Sequence, residues 1–420
     1  MSRRIAPVGL REKLPFASDN PHVPVTLGST HLLESGRLRG STVGLVCNPA
    51  SVDSSLRHSV DRLFGERDVE LGAIFGPQHG FRSDVQDNMI ETPHTELETS
   101  GGGTATAVRK RVPLYSLYSD TREPTPAMLQ GLDAVVVDLQ DIGTRIYTYA
   151  YTMANCMRAA RRHGIKVFVC DRPNPIGGLE LEGITLEAGC ESFVGQYPIP
   201  TRHGMTMGEL ARLFNEAFGI GADVEIVPMK GWRRSMYWDD TGLPWVMPSP
   251  NIPTLDSAIV FPGTVHIEGT IASEGRGTTR PFELVGAPWI SAERFADRLN
   301  ARGLPGVFFR PVVFEPTFQK HARSACGGCQ IHVLDRQTFK PVLTGMAIID
   351  EMRAADPASF GWKKPPYEYE NDKQPIDVIA GSPSFRAAID AGERAEAIAA
   401  RWQSTLEAFR DERRQFLLYE

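Results

Sequence analysis

L-D-A-V-V-V-D-L-Q-D-I-G-T-R-I-Y-T-Y-A-Y, running from Leu132 to Tyr151, decides how the first half of the chain folds. Ala134 to Val137 is an unbroken apolar run, which suits a strand buried on both faces of a parallel sheet covered by helices. Where that strand should stop, Asp138, Gln140 and Asp141 arrive, Gly143 permits a tight turn, and Thr144 opens a helical pattern carrying Arg145, Tyr147 and Tyr149. Ligands of open α/β sheets sit beyond the carboxyl ends of the strands, so this junction is a candidate site. The plainer alternative is that a strand-terminal Asp only caps the next helix.

The same order recurs outward from this stretch. Thr42–Cys47 reads as a strand closed by Asn48-Pro49. Glu70–Phe75 leads into Pro77-Gln78-His79-Gly80-Phe81-Arg82, and Lys166–Cys170 into Asp171-Arg172-Pro173-Asn174. Helical spacing occupies Ser54–Phe64 and Ala150–His163, the latter capped by Gly164; Thr206–Phe218 opens with a Thr206/Glu209 capping box. Strand, polar exit and helix in repetition predict βαβ units with right-handed crossovers, so the first half is doubly wound α/β. Residues 83–112 form a polar excursion containing Gly101-Gly102-Gly103 that is too long for an ordinary connection, and a short strand at Val112–Leu117 follows it.

Pro244, Pro248, Pro250 and Pro253 make a stretch that is neither helix nor central strand, and the domain boundary is placed there. This gives an arm over 1–24, a first domain over 25–250 and a second over 251–420. The second reads as a smaller α+β unit: helix 291–301, strands 307–314 and 329–334, helix 343–353, a polar aromatic loop 360–376 and a terminal helix 384–416.

Composition excludes several classes. A net charge of −6 over 420 residues and a pI near 6.0 leave no basic footprint for nucleic acid. No segment approaches the ~18 apolar residues of a membrane span, and the N-terminus lacks a signal-like apolar run, so a cytoplasmic protein is expected. Six thinly spread cysteines argue against a disulfide framework. Cys326 and Cys329, separated by Gly327-Gly328, read as a glycine turn entering a strand rather than a metal or redox pair. Neither a dinucleotide fingerprint, a P-loop, a nucleophile elbow nor a zincin motif is present, so no cofactor or metal is expected.

Four groups remain for chemistry. Gln78, His79 and Arg82 follow one strand; Asp138, Gln140, Asp141, Arg145, Tyr147 and Tyr149 follow another. Carboxylates beside a guanidinium and phenols suit a polyhydroxylated ligand, because sugar hydroxyls want bidentate acceptors and ring faces want aromatics. Ser273-Glu274-Gly275-Arg276-Gly277-Thr278-Thr279 is the densest polar segment of the second half, with glycines that let backbone approach a ligand. Arg202-His203-Gly204 precedes the Thr206 helix, whose N-terminus favours an anion. A cleft between two domains is the natural ligand site.

P-Q-H-G-F-R (77–82), V-D-L-Q-D-I-G-T-R-I-Y-T-Y (137–149), D-R-P-N-P-I-G-G (171–178), G-Q-Y-P-I-P-T-R-H-G-M-T (195–206), G-W-R-R (231–234), P-S-P-N-I-P-T (248–254) and S-E-G-R-G-T-T (273–279) occur in this order. From about residue 25 to the C-terminus the chain thereby resembles the exo-β-N-acetylmuramidase family of bacterial peptidoglycan hexosaminidases. The resemblance implies a Rossmann-like N-terminal domain, a smaller C-terminal domain, a cleft between them, and release of N-acetylmuramic acid from the non-reducing end of peptidoglycan fragments. The sugar's lactyl carboxylate then accounts for the cationic and helix-terminal donors.

One departure matters: the family motif reads P-E-H-G where this chain has Gln78, and an amide cannot serve as a general acid. Glycoside hydrolysis usually needs two carboxyls, and the expected pair here is Glu274 with Asp141, assisted by Asp138 and His79, with Glu182 in reserve. Gln78, Arg82, Gln140, Arg145, Tyr147, Tyr149, Asp171, Arg172, Asn174, Glu182, Arg202, His203 and Arg276 are the expected substrate contacts. The alternatives are a muramyl-sugar sensor that kept the cleft after losing its acid, and a hydrolase of a different β-glycoside.

Overall fold

The computed structural model describes residues 25–87, 89–100 and 109–420. The expected arm over 1–24 and the Gly101–Gly103 stretch lie outside them. In chain order the strands of the first half are β1 (Ser41–Cys47), β2 (Val69–Gly76), β3 (Thr95–Ser100), β4 (Arg109–Ser116), β5 (Ala134–Asp138), β6 (Lys166–Cys170), the two-stranded ribbon β7 (Glu182–Thr185) and β8 (Pro200–Arg202), and β9 (Val224–Val227). All but the ribbon join one sheet ordered β3-β4-β2-β1-β5-β6-β9. Only the edge strand β3, which lies in the polar excursion, runs antiparallel to its neighbour.

The parallel strands, counted along the chain, lie third, second, first, fourth, fifth, sixth across the sheet, which is the order of dinucleotide-binding folds, with reversal between β1 and β5. Every residue of β5 is buried, as its valine run requires of a strand covered on both faces. Helices α1 (Gly28–Glu34), α2 (Ser59–Gly65), α3 (Pro126–Leu129), α4 (Tyr149–His163) and α5 (Met207–Glu216) belong to this half. Gly164 closes α4 in the left-handed conformation at φ 65°, and Thr206 and Glu209 form the reciprocal cap of α5. α4 begins later than the helical pattern from Thr144 implies. Asp141 Oδ2 accepts from Gly143 N at 2.6 Å and Arg145 N donates to Thr201 O at 2.8 Å, so this segment ties itself to β8 instead of winding.

In the second half β10 (Leu284–Ala287), β11 (Val307–Phe314) and β12 (Cys326–Val333) form an antiparallel sheet ordered β10-β12-β11. With them pack α6 (Leu255–Thr264), α7 (Ala292–Ala301) and α8 (Pro341–Ala355), followed by α9 (Pro375–Ala380), α10 (Ser384–Asp390), α11 (Ala395–Ala400) and α12 (Gln403–Arg413). Gly327 and Gly328 lie inside β12, not in a turn before it. A Cβ on either would come within 2.0 Å of a carbonyl, of Ile290 or Val285, so only glycine lets the neighbours close. The single terminal helix expected over 384–416 is broken, first at Gly392 with φ 80°.

One apolar cluster runs from Val46, Phe75 and Tyr147 through Phe261 and Phe282 to Phe385 and Phe416, so both halves close over a shared core. The last residues return to the first half: Tyr419 Oη donates to Asp171 Oδ2 at 2.6 Å and accepts from Met229 N at 2.9 Å. Buried Arg413 donates to the carbonyls of Gly178, Leu179, His203 and Gly204.

Candidate active site

The crevice between β1 and β5, where a dinucleotide fold would hold its ligand, is filled by the protein itself. Asn48 Nδ2 donates to Pro248 O at 3.1 Å and Gln140 O at 3.3 Å, while its Oδ1 accepts from Gln140 N at 3.2 Å. Tyr149 Oη also donates to Pro248 O, at 2.8 Å. The proline run thus plugs the switch point, and the open space lies to one side of it. There a pocket is walled by Gln78 and His79 after β2, by Tyr147, Thr148 and Tyr149 ahead of α4, and by Ser249 and Asn251 of the proline run. Glu268, Arg276, Tyr367 and Glu368 of the second half complete it.

Two carboxyls face this pocket in different surroundings. Glu368, 3% exposed, takes one hydrogen bond at each oxygen, from Gln78 Nε2 at 3.0 Å and from Tyr118 Oη at 2.6 Å. Among the described residues no cation forms an ion pair with it, and burial raises its pKa, favouring the protonated form. Burial acts in the same direction on Glu268, but Arg276 outweighs it with its charge and a 2.6 Å hydrogen bond, so this carboxyl is held below the usual range and stays ionised. Tyr367 Oη donates to its other oxygen at 3.0 Å.

Gln78 is fixed end to end, since its Oε1 accepts from Thr148 Oγ1 at 2.8 Å while its amide nitrogen serves Glu368. His79 sits at φ 70° with Nδ1 against Val85 O at 2.8 Å, which makes Nδ1 the protonated nitrogen and Nε2 an acceptor. Burial first, and Arg276 second, lower its pKa to about 4, so the ring is neutral near pH 7.

Of the residues expected from the sequence, the pocket therefore gathers Gln78, His79, Tyr147, Tyr149 and Arg276. It is not lined by Glu274 or Asp141. Glu274 lies behind Arg276, its oxygens 3.5 Å from Arg276 Nε and 2.9 Å from Lys320 Nζ. Asp141 caps Gly143, and its other oxygen has no hydrogen-bond partner among the described residues; burial pushes its pKa up to about 7. Asp138 and Arg172 spend their charges on each other through a bidentate pair at 2.6 and 3.0 Å, with Ser59 as a further donor, at the end of β5.

The remaining expected contacts hold loops together. Gln140 Nε2 donates to the Asp141 and Pro173 carbonyls, Asn174 Nδ2 to Met205 O, Arg145 to Ile379 O and Arg202 to Ile176 O. Asp171 accepts from Thr206, Gly208 and Tyr419, and His203 Nδ1 accepts from Met205 N. Glu182 takes the backbone N–H of Leu343 at 2.8 Å across the two halves. Arg82 is exposed beside a separate hollow over β2 and β4. Among the described residues no three His, Cys, Asp or Glu side chains converge as a metal site would need.

Comparison with known proteins agrees with this architecture. Residues 43–256 match the model of the N-terminal domain of exo-β-N-acetylmuramidase NamZ, and residues 259–419 that of its C-terminal domain. A peptidoglycan β-N-acetylmuramidase NamZ from Bacillus subtilis is 46% identical over 383 residues, covering 91% of this chain and 88% of that protein. Two crystal structures of DUF1343 family proteins from Bacteroides fragilis superpose on it. One has a TM-score of 0.83 at 34% identity over 95% of this chain and 100% of the other; the second has 0.71 at 26%, over 94% and 99%. With both domain models matched in order over nearly all of the described fold, the chain belongs to the NamZ family of exo-β-N-acetylmuramidases.

Proposed function

We propose that the protein is an exo-acting glycosidase that removes N-acetylmuramic acid from the non-reducing end of peptidoglycan fragments, with Glu368 as its general acid and Glu268 as the fixed negative charge at the anomeric centre. The observation that carries this reading is a pair of buried carboxyls in one pocket, Glu268 bound by a guanidinium and Glu368 held by an amide and a phenol, so that their pKa values move in opposite directions. Environments that push two carboxyls apart in pKa mark the acid and its charged partner. Gln78 cannot carry a proton, but its amide and the Tyr118 hydroxyl hold both oxygens of Glu368 in place. As the glycosidic bond breaks, the Glu368 proton passes to the leaving oxygen. The cationic character left on the sugar is steadied by ionised Glu268, and an entering water supplies the hydroxyl of the product and returns a proton to Glu368. Glu274 acts through Arg276, whose position it shares with Glu268.

The test is hydrolysis of a β-linked N-acetylmuramyl-N-acetylglucosamine disaccharide and of p-nitrophenyl β-N-acetylmuramide. Glu368→Gln should slow the disaccharide by about 10²–10⁴-fold, and the p-nitrophenyl substrate less, because nitrophenolate leaves without a proton. The protonated form is the active one, so wild-type kcat declines as pH rises through the raised pKa of Glu368, and that limb vanishes in the variant. A variant with full turnover and an unchanged profile would exclude Glu368 as the acid. Its proposed setting is cell-wall turnover, and the cytoplasmic location expected from the sequence is checked by cell fractionation.

A further inference from the structure

Three consecutive residues lead out of the pocket: Tyr367 and Glu368 are each 3% exposed, and Tyr369 is 41% exposed. Glu368 and Tyr369 both hold left-handed backbone, at φ 46° and 68°, a conformation that costs energy in residues with a Cβ and is retained where the surroundings impose it. The result is that the residue next to the buried carboxyl presents its aromatic ring at the surface. Around it lies a cluster of which the mechanism uses only the Tyr118 hydroxyl. The Arg122 guanidinium carbon is 4.3 Å from the Tyr118 ring centroid, 4.4 Å from that of Tyr369 and 5.6 Å from that of Phe193. Tyr118 is the same residue whose hydroxyl holds Glu368. Arg122 donates to Ser119 O and forms no ion pair with a carboxylate among the described residues.

From this geometry we infer a leaving-group subsite in which the sugar released from N-acetylmuramic acid stacks on Tyr369 while Arg122 donates to its hydroxyl or acetamido oxygens. The inference rests on the proposed role of Glu368. An acid must stand beside the leaving oxygen, so whatever is attached to that oxygen extends along the Glu368 side of the pocket, and Tyr369 is the next surface it meets. A partly exposed guanidinium beside aromatic rings has five N–H donors, more than its bond to Ser119 O uses, and an exposed phenol ring gives a pyranose face an apolar partner at little conformational cost. Arg276, the guanidinium that lines the pocket, is by contrast already matched by Glu268 and Glu274. Arg122 carries no such carboxylate partner among the described residues.

Two substrates with the same muramyl group separate this role from general damage: the disaccharide, and β-N-acetylmuramyl fluoride, whose leaving group has no ring. Tyr369→Ala and Arg122→Ala should each lower kcat/KM for the disaccharide by about threefold to tenfold and leave the fluoride within about twofold. Tyr369→Phe, which keeps the ring, should stay near wild type on both. Equal losses on the two substrates, or no loss on the disaccharide, would overturn the subsite while leaving the muramidase reading intact. Failure of the wild-type protein to cleave either substrate would overturn the muramidase reading and this inference with it.

Discussion

At position 78 the chain replaces an expected carboxyl with an amide, and the surrounding hydrogen bonds show what the amide does. Thr148 holds its oxygen, so its nitrogen must point at Glu368. Gln78→Glu would set two carboxyls at hydrogen-bond distance in a buried site, where they cannot both ionise cheaply. The pair should keep one proton to higher pH, moving the alkaline limb of the kcat profile upward while turnover persists; a limb that stays put would show that position 78 is not coupled to Glu368. The sequence exposed half of this relationship. His79, Gln78 and Arg276 stand in strings flanked by glycines and strand ends, where function leaves a local mark. Glu368 stands in an aromatic loop, Y-E-Y-E, with nothing local to separate it from a solvated acid, and it meets Gln78 across 290 residues of chain. Glu274 drew notice for the same density of charge that makes it a neighbour of Arg276 rather than a wall of the pocket.

Among the elements, strands were legible because burial on two faces demands continuous apolar runs, as in β5 and β6. Helix starts were legible where a side chain caps them, and also at α7, expected from residue 291 and found from Ala292 without a capping bond. Thr206 and Glu209 mark α5, whereas nothing local announces that residues 141–146 bond to β8 before α4 begins. Close packing between elements is likewise invisible in one segment alone. α6 and α8 touch backbone to backbone: a Cβ on Gly263 would lie 1.8 Å from Pro341 O, and one on Gly345 2.2 Å from Gly263 O. Gly263→Ala should therefore cost about 1–3 kcal/mol or more through overpacking. Gly65→Ala, where the added carbon meets nothing within 4 Å and φ is not left-handed, serves as the neutral control. Chemical denaturation of the two variants checks this; equal midpoints would mean the helices separate without penalty.

Across the whole molecule the halves are joined by the shared apolar core and by the returning C-terminal segment, which a reading of separate domains did not foresee. Tyr419→Phe removes one hydroxyl, strands Met229 N and leaves Asp171 Oδ2 with Thr206 Oγ1 alone. Stranding a buried donor should lower stability by about 1–3 kcal/mol, read as a lower denaturation midpoint with KM for the muramyl substrate little changed. A large rise in KM instead would mean that this anchor sets the pocket's shape.

The carbonyl of Pro248 carries a consequence of its own. Two side chains from separate segments of the first half, Asn48 and Tyr149, converge on that one oxygen, and the loop bearing it cannot swing aside without stranding both donors. The place where folds of this strand order take a nucleotide is thus bricked up by the chain itself, and the same masonry walls one side of the neighbouring chamber. Tied in advance, that wall need not be ordered when a guest arrives, which spares its share of the entropy of binding.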